Sequence, residues 1–345
     1  MEEYTSYLKR AYDNVWLTNR GELVVELEKK LMDFLGVDNL LLTTNGTLPI
    51  QIALKALNIE KDVITTPFSY VATTSSISWE NCNPIFVDID AENLTIDPNK
   101  IEEAITNNTQ AIVATHVFGN PCDVDAIEEI ALKHGLKVIY DAAHCFGVKY
   151  KEKSIFEYGD VSTCSFHATK IFHTGEGGCL VAKDKALFER LYYMHNFGHK
   201  TPTSFYDKGI NAKMSELQAA MGLAVFDHLG EIFENRRKAV ALYDSLLLHT
   251  NNLKTFKVRA STEWNYHYYP IILDTENHLL DKIKALNEKG IYPRRYFYPS
   301  LNSLNYVIKQ SCPISESISS RILCLPLSAD ISADEIELIC NVLNG

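Results

Sequence analysis

From Leu40 to Lys183 the chain repeats one pattern: a short apolar run, a small or polar turn, then a segment whose apolar residues recur at helical spacing. The runs Leu40–Thr44, Asp62–Thr66, Pro84–Ile89, Ala111–Val117 and Lys137–Tyr140 alternate with segments such as Leu48–Leu57 and Val124–His134. Strand and helix in alternation favour parallel pairing with helices on both faces, which predicts an α/β fold around a mostly parallel sheet. Val161–Phe166 and Gly178–Lys183 read as two further strands, close enough for one to run antiparallel at the sheet edge. Ahead of the sheet, Val24, Leu27, Leu31, Phe34 and Leu35 share one helical face over Glu22–Leu35, with Gly36 placed to end the helix.

A long helical stretch begins near Ser215 and its apolar spacing runs past Arg237 to Leu248, which reads as a spine. The polar run from Thr250 to Glu263 then precedes a compact tail of strand Tyr268–Leu273, helix His278–Lys289, strand Ile322–Leu325 and helix Ala333–Leu343. The expected division is a large α/β domain over 1–248 and a smaller C-terminal α+β domain over 249–345.

Composition removes several functions. Acidic residues outnumber Lys and Arg by 44 to 33, a formal net charge of −11 that disfavours a nucleic-acid or anionic-membrane partner. The eight cysteines include no C-x-x-C pair and no cluster, so they read as buried thiols, with neither a disulfide framework nor a metal site. The acidic start MEEYTSYLKR carries no secretory pattern and no run is apolar enough to span a bilayer, which together lead to the expectation of a cytoplasmic location.

Several segments fall at the predicted C-terminal ends of strands, where open α/β sheets collect ligands. Thr44-Asn45-Gly46-Thr47 links a strand to a helix and offers backbone and hydroxyl donors for a phosphate; alone it is equally a capped turn. It is not a Walker loop, and no G-x-G-x-x-G follows the first strand, which disfavours a nucleoside triphosphatase or a nicotinamide dehydrogenase. Val138-Ile139-Tyr140-Asp141 ends a strand in a carboxylate, with His144 just beyond; a helix cap would look the same. Ser165-Phe166-His167-Ala168-Thr169-Lys170 puts an amine before the glycine-rich stretch Gly175–Gly178, and a solvated charge is the bland alternative. Together they match one cofactor. Pyridoxal 5′-phosphate needs an amine for its aldehyde, a carboxylate for its ring nitrogen and donors for its phosphate.

The blocks TTNGTLPIQIALKAL, ATHVFGNPCDVDAI, YDAAHCFG, SFHATKIFHTGEGG and GINAKMSELQAAMGL, with WLTNRGELVVELE near the start, resemble the DegT/DnrJ/StrS nucleotide-sugar aminotransferases over nearly the whole chain. The resemblance implies an aspartate-aminotransferase-type fold with a seven-stranded sheet and pyridoxal 5′-phosphate as cofactor. It also implies Lys170 as the residue that holds the cofactor's aldehyde and Asp141 as partner of its ring nitrogen. By the same resemblance His144 lies near the phenolic oxygen, Tyr70 stacks on the ring, and Gly46, Thr47 and Ser165 hold the phosphate. Asn211 matches a residue that reaches the neighbouring subunit's phosphate in a homodimer with composite sites, and Lys213 stands where arginine is usual.

The segment Gly290–Pro299 concentrates Arg294, Arg295, Tyr296 and further tyrosines, a composition suited to phosphate and to stacking on a base or sugar. The resemblance implies dTDP-4-keto-6-deoxy-D-glucose as acceptor, L-glutamate as donor, and a product that feeds O-antigen or related glycan assembly. A 3-keto-sugar aminotransferase and a non-catalytic cofactor-binding regulator remain open alternatives.

Overall fold

The computed structural model describes residues 1–345. The strands β1 (Leu40–Thr43), β2 (Asp62–Thr65), β3 (Asn83–Phe86), β4 (Thr109–Thr115) and β5 (Lys137–Asp141) follow the predicted alternation. A short hairpin, β6 (Lys149–Tyr150) and β7 (Lys153–Ser154), separates them from β8 (Val161–Ser165) and β9 (Gly178–Ala182). Seven of these form one sheet in the order β1-β9-β8-β5-β4-β2-β3. β9 is antiparallel to both its neighbours, while β8, β5, β4, β2 and β3 are mutually parallel. The antiparallel strand is therefore internal, one position in from the edge where it was expected.

Alternate residues of each strand face opposite layers. Ile112, Ala114 and Tyr140 pack with Leu23, Leu27, Leu31 and Leu223. Ala111, Val113 and Ile139 pack on the other side with Ile50, Leu54, Ile77 and Leu191. Both faces are covered, and this is why the parallel strands read as nearly continuous apolar runs.

The expected spine is two helices, Glu216–Phe226 and Leu229–Leu247. Apolar spacing continues through the break, where the chain turns at Asp227 and its carboxylate accepts from Tyr7 at 3.3 Å and Lys30 at 3.2 Å. The first helix packs on the large sheet; the second sends Ala239, Val240, Tyr243 and Leu247 into another core. After the exposed hairpin β10 (His199–Thr201) and β11 (Ser204–Phe205), that core is built on β12 (Leu253–Thr255), β14 (Tyr269–Leu273) and β15 (Ile322–Leu325), all antiparallel. The two-residue strand β13 (Thr262–Glu263) instead pairs with β6 of the large part. Helices Glu276–Asn287 and Ala333–Asn344 follow the predicted tail, whereas Glu2–Asp13, Val71–Trp79, Lys185–Met194 and Pro313–Arg321 were not foreseen. All eight cysteines are unpaired and buried. No helix is long and apolar enough to cross a membrane.

Two buried carboxylates tie distant segments together by capping helices. Glu216 accepts from the amides of Leu23 and Val24, at 2.7 and 3.1 Å, in the first turn of Glu22–Leu35. Asp88 accepts from the amides of Ile314 and Ser315, both at 2.8 Å, in the first turn of Pro313–Arg321. Helix amides without partners favour an anion at that end. Asp88→Ala strips this cap and leaves buried donors unpaired, so we expect it to cost about 2–3 kcal/mol. A urea titration checks this, and an unchanged midpoint contradicts the role.

Candidate active site

β1, β2, β4, β5 and β8 all end at one edge of the large sheet, because β9 reverses direction between β8 and β1 and so leaves those two co-directional. The predicted site residues hang from that edge. Gly46 and Thr47 follow β1, Tyr70 follows β2, Asp141 ends β5, and Ser165 ends β8 with Lys170 in the next turn.

Gly46 lies directly against Ser165: a Cβ there would fall 2.5 Å from the serine's Cβ. Only glycine admits this approach, and it places the Ser165 hydroxyl beside the 44–47 turn as the phosphate reading requires. Gly178 makes the matching approach to the Asn45 carbonyl, where a Cβ would sit 2.5 Å away. One detail differs from the simple cradle. Asn45 Oδ1 already accepts from the amides of Thr47 and Leu48, both at 2.9 Å. The donors left at this turn include the Gly46 amide and the Thr47 hydroxyl, with the Ser165 hydroxyl beside them.

Asp141 is buried, with Oδ2 accepting from Thr73 Oγ1 at 2.5 Å and Oδ1 from the Ala143 amide at 3.1 Å. Thr73 comes from the helix that the sequence did not reveal. His144 is buried too; its Nδ1 accepts from the Phe118 amide at 3.0 Å, so the neutral ring carries its proton on Nε2. Burial first, then the Lys170 charge, hold this imidazole well below its ordinary value.

Lys170 is partly buried; its amine makes no hydrogen bond or ion pair and stands with Nζ 5.8 Å from the centre of the Tyr268 ring. Burial lowers its pKa from 10.5 to about 8 against the opposing charge of Asp141. The amine and carboxylate thus sense each other without touching. Lys170 also borders a cleft of about 810 Å³ shared with Arg236, His267, Tyr268, Arg294 and Pro326. Asp141, His144 and the 44–47 turn do not border that cleft, so Lys170 stands between it and the strand-end cluster.

The remaining expectations separate. Arg294 borders the cleft and donates to the Tyr296 hydroxyl at 2.9 Å. Arg295 does not: it pairs with Glu276 at 2.6 Å, donates to the Ser320 carbonyl at 3.0 Å and covers the Tyr298 ring at 3.5 Å, which makes it a structural tie. Asn211 is exposed and accepts from Lys213 Nζ at 2.6 Å. Tyr70 is 56% exposed, with its ring open to a partner. Sequence reasoning missed Arg236 and His267. Arg236 is buried without a carboxylate; it donates from Nε and Nη2 to the carbonyls of Tyr266 and His267, and burial lowers it to about 10. A signal existed: Arg236 stands in the apolar stripe with Val240, Tyr243 and Leu247.

These residues fit pyridoxal phosphate: a free, partly neutral amine, a fixed carboxylate held away from it, and a cradle that a side chain at position 46 would fill. In the cofactor-free protein, acylation of Lys170 is expected to follow a midpoint near pH 8. Burial penalises the charged form, so the fold carries that penalty below pH 8 and sheds it as pH rises from there towards 10.5. Asp141→Asn removes the main opposing influence and moves the midpoint lower. A midpoint at the ordinary lysine value, or one that rises in the variant, contradicts this electrostatic account.

Residues 1–344 match the model of the DegT/DnrJ/EryC1/StrS aminotransferase family. A dTDP-4-amino-4,6-dideoxy-D-glucose transaminase of Shigella dysenteriae is 40% identical, over 99% of this chain and 95% of the relative. An Escherichia coli transaminase of the same name is 37% identical, over 100% of this chain and 95% of the relative. Among solved structures, DesI, determined in the presence of its TDP-sugar product, superposes with a TM-score of 0.94 at 32% identity, covering 99% of this chain and 89% of DesI.

Proposed function

The chain belongs to the DegT/DnrJ/EryC1/StrS aminotransferase family, and from that premise we propose that it moves the amino group of L-glutamate to C4 of dTDP-4-keto-6-deoxy-D-glucose, forming dTDP-4-amino-4,6-dideoxy-D-glucose. One observation carries the reading: the likeness to transaminases of that product extends along the whole chain, and the free Lys170 amine beside a separately held Asp141 is intact within it. The enzyme uses pyridoxal 5′-phosphate, which when bound supplies an electron sink conjugated to the nitrogen being transferred.

The chain's own residues supply the rest. Lys170, with a pKa of about 8, offers at neutral pH a minority of neutral amine able to take a proton from carbon and return it. Asp141, oriented by Thr73 and Ala143, is placed to keep a ring nitrogen protonated. Gly46, Thr47 and Ser165 hold a phosphate; Tyr70 lends its open face for stacking and His144 an Nε2 donor. Arg236 and Arg294 make the cleft beside Lys170 favourable for anionic substrates, consistent with a carboxylate donor and a diphosphate-linked acceptor.

We place the site in a homodimer. Around Asn211 the chain exposes Phe197, Phe205, Tyr206 and Ile210, an apolar surface suited to a second copy. If Asn211 serves the partner's site, mixing inactive Lys170→Ala and Asn211→Ala chains should restore up to about a quarter of wild-type activity, since mixed dimers then carry one intact site. No gain on mixing contradicts a role for Asn211 in the partner's site.

The reaction is checked by incubating enzyme, glutamate and dTDP-ketosugar and locating the new amine by NMR. Nitrogen at C4, 2-oxoglutarate beyond one equivalent per site only when ketosugar is present, and no turnover by Lys170→Ala are expected. Nitrogen at C3 overturns the regiochemistry. Cofactor binding without 2-oxoglutarate overturns catalysis.

A further inference from the structure

The chain has nine arginines, and the side chains of all but one hold a carboxylate or a backbone carbonyl. Arg294 is the exception. Its side chain makes one hydrogen bond, from Nη1 to the neutral hydroxyl of Tyr296 at 2.9 Å, and the residue is exposed. In a chain of net charge −11, a guanidinium left without an anion of its own is open to one from outside.

Its setting narrows what that anion is. Arg294 borders the cleft that Lys170 also borders. Two rings join them: Lys170 Nζ stands 5.8 Å from the centre of Tyr268, and Tyr268 meets Tyr296, the ring whose hydroxyl Arg294 holds, edge-on at 5.6 Å. The Arg294 charge is among those that act on Lys170. The other basic groups on the cleft wall are engaged or neutral. Arg236 is bound to the carbonyls of Tyr266 and His267, His228 pairs with Glu3 at 2.7 Å, and burial favours the uncharged form of His173. Besides the reacting amine, the cleft therefore offers one free and permanent cation.

Transamination brings two anionic molecules to the same amine in turn, because nitrogen leaves the donor and enters the acceptor at one place. Glutamate carries its distal carboxylate at the end of a short carbon arm from Cα. The sugar nucleotide carries its first phosphate across the pyranose ring from C4, one oxygen further on. The two arms have similar reach from the carbon that exchanges nitrogen, so a single anchor can meet both. A planar guanidinium fork matches carboxylate and phosphate alike. Resting on the aminotransferase reading, we propose that Arg294 is a shared anion anchor, taking the distal carboxylate of glutamate in the first half of the cycle and the diphosphate of the sugar nucleotide in the second. The donor is then selected for its second carboxylate, and the two substrates exclude one another.

The backbone groups of Arg294 and Cys324 bond each other at 3.0 and 2.8 Å and hold this segment whatever the side chain, so R294Q should fold. The two half-reactions can be followed separately through the cofactor's absorbance. R294Q should lose about 30-fold in kcat/KM for glutamate in the first and for the dTDP-ketosugar in the second, mainly through KM. R294K keeps the charge without the fork and should fall between R294Q and wild type. Alanine lacks the distal carboxylate, so the preference for glutamate over alanine should shrink by the same factor in R294Q. A loss for one substrate alone, or an unchanged glutamate-to-alanine ratio, overturns the proposal.

If R294Q does not fold, binding decides. Calorimetry on the cofactor-loaded wild type should show glutarate and dTDP excluding each other, with R294K weakening both. Simultaneous binding of the two overturns the shared anchor. Failure of the wild type to consume glutamate with any ketosugar would sink the aminotransferase reading; the binding competition needs no turnover and would still judge Arg294.

Discussion

A lysine held close to a carboxylate, yet kept from pairing with it, is the constraint on which the site depends. An ion pair between Lys170 and Asp141 would fix the amine as ammonium and consume the carboxylate. The sheet prevents it. Asp141 ends β5, level with Thr163 on the adjacent β8, and its two oxygens are already engaged by Thr73 and Ala143. Lys170 arrives only after a loop that folds back on itself, with Ala168 bonded to Gly175 and Phe166 to Gly177. Without an anion in contact, burial decides the lysine's charge.

The sequence made the large sheet legible because its strands are buried on both faces and its helices carry clean apolar stripes. The helix Glu22–Leu35 appears with the limits its spacing indicates. Val71–Trp79 escaped notice because VATTSSISW is rich in β-branched and hydroxyl residues, which have weak helical preference; burial of Thr73, Thr74, Ser76 and Ile77 overrides that preference. The break at Asp227 was equally hidden, since apolar spacing runs on through it from Ala224 to Leu229. The position of β9 depends on strand order, which periodicity does not encode.

At the site, the residues readable in advance were those at strand ends, where position along the chain determines position in space. Arg294 and Arg295 looked interchangeable as neighbours in a basic, aromatic segment. The fold gives one to the cleft and the other to Glu276 and Tyr298. His267 had no distinguishing mark, because the His144 carbonyl that its Nδ1 faces lies far away in sequence.

The antiparallel strand between β8 and β1 has a consequence for biosynthesis. β1 reaches the sheet only through β9, and the turn after β1 is further clasped by the Ala212 carbonyl, which accepts from Thr44. A nascent chain emerging from the ribosome therefore makes the first strand early but cannot seat it until the ninth has been synthesised. The 44–47 turn is among the earliest parts translated and among the last completed, so any ligand site that includes it forms at the end of folding and cannot guide its beginning.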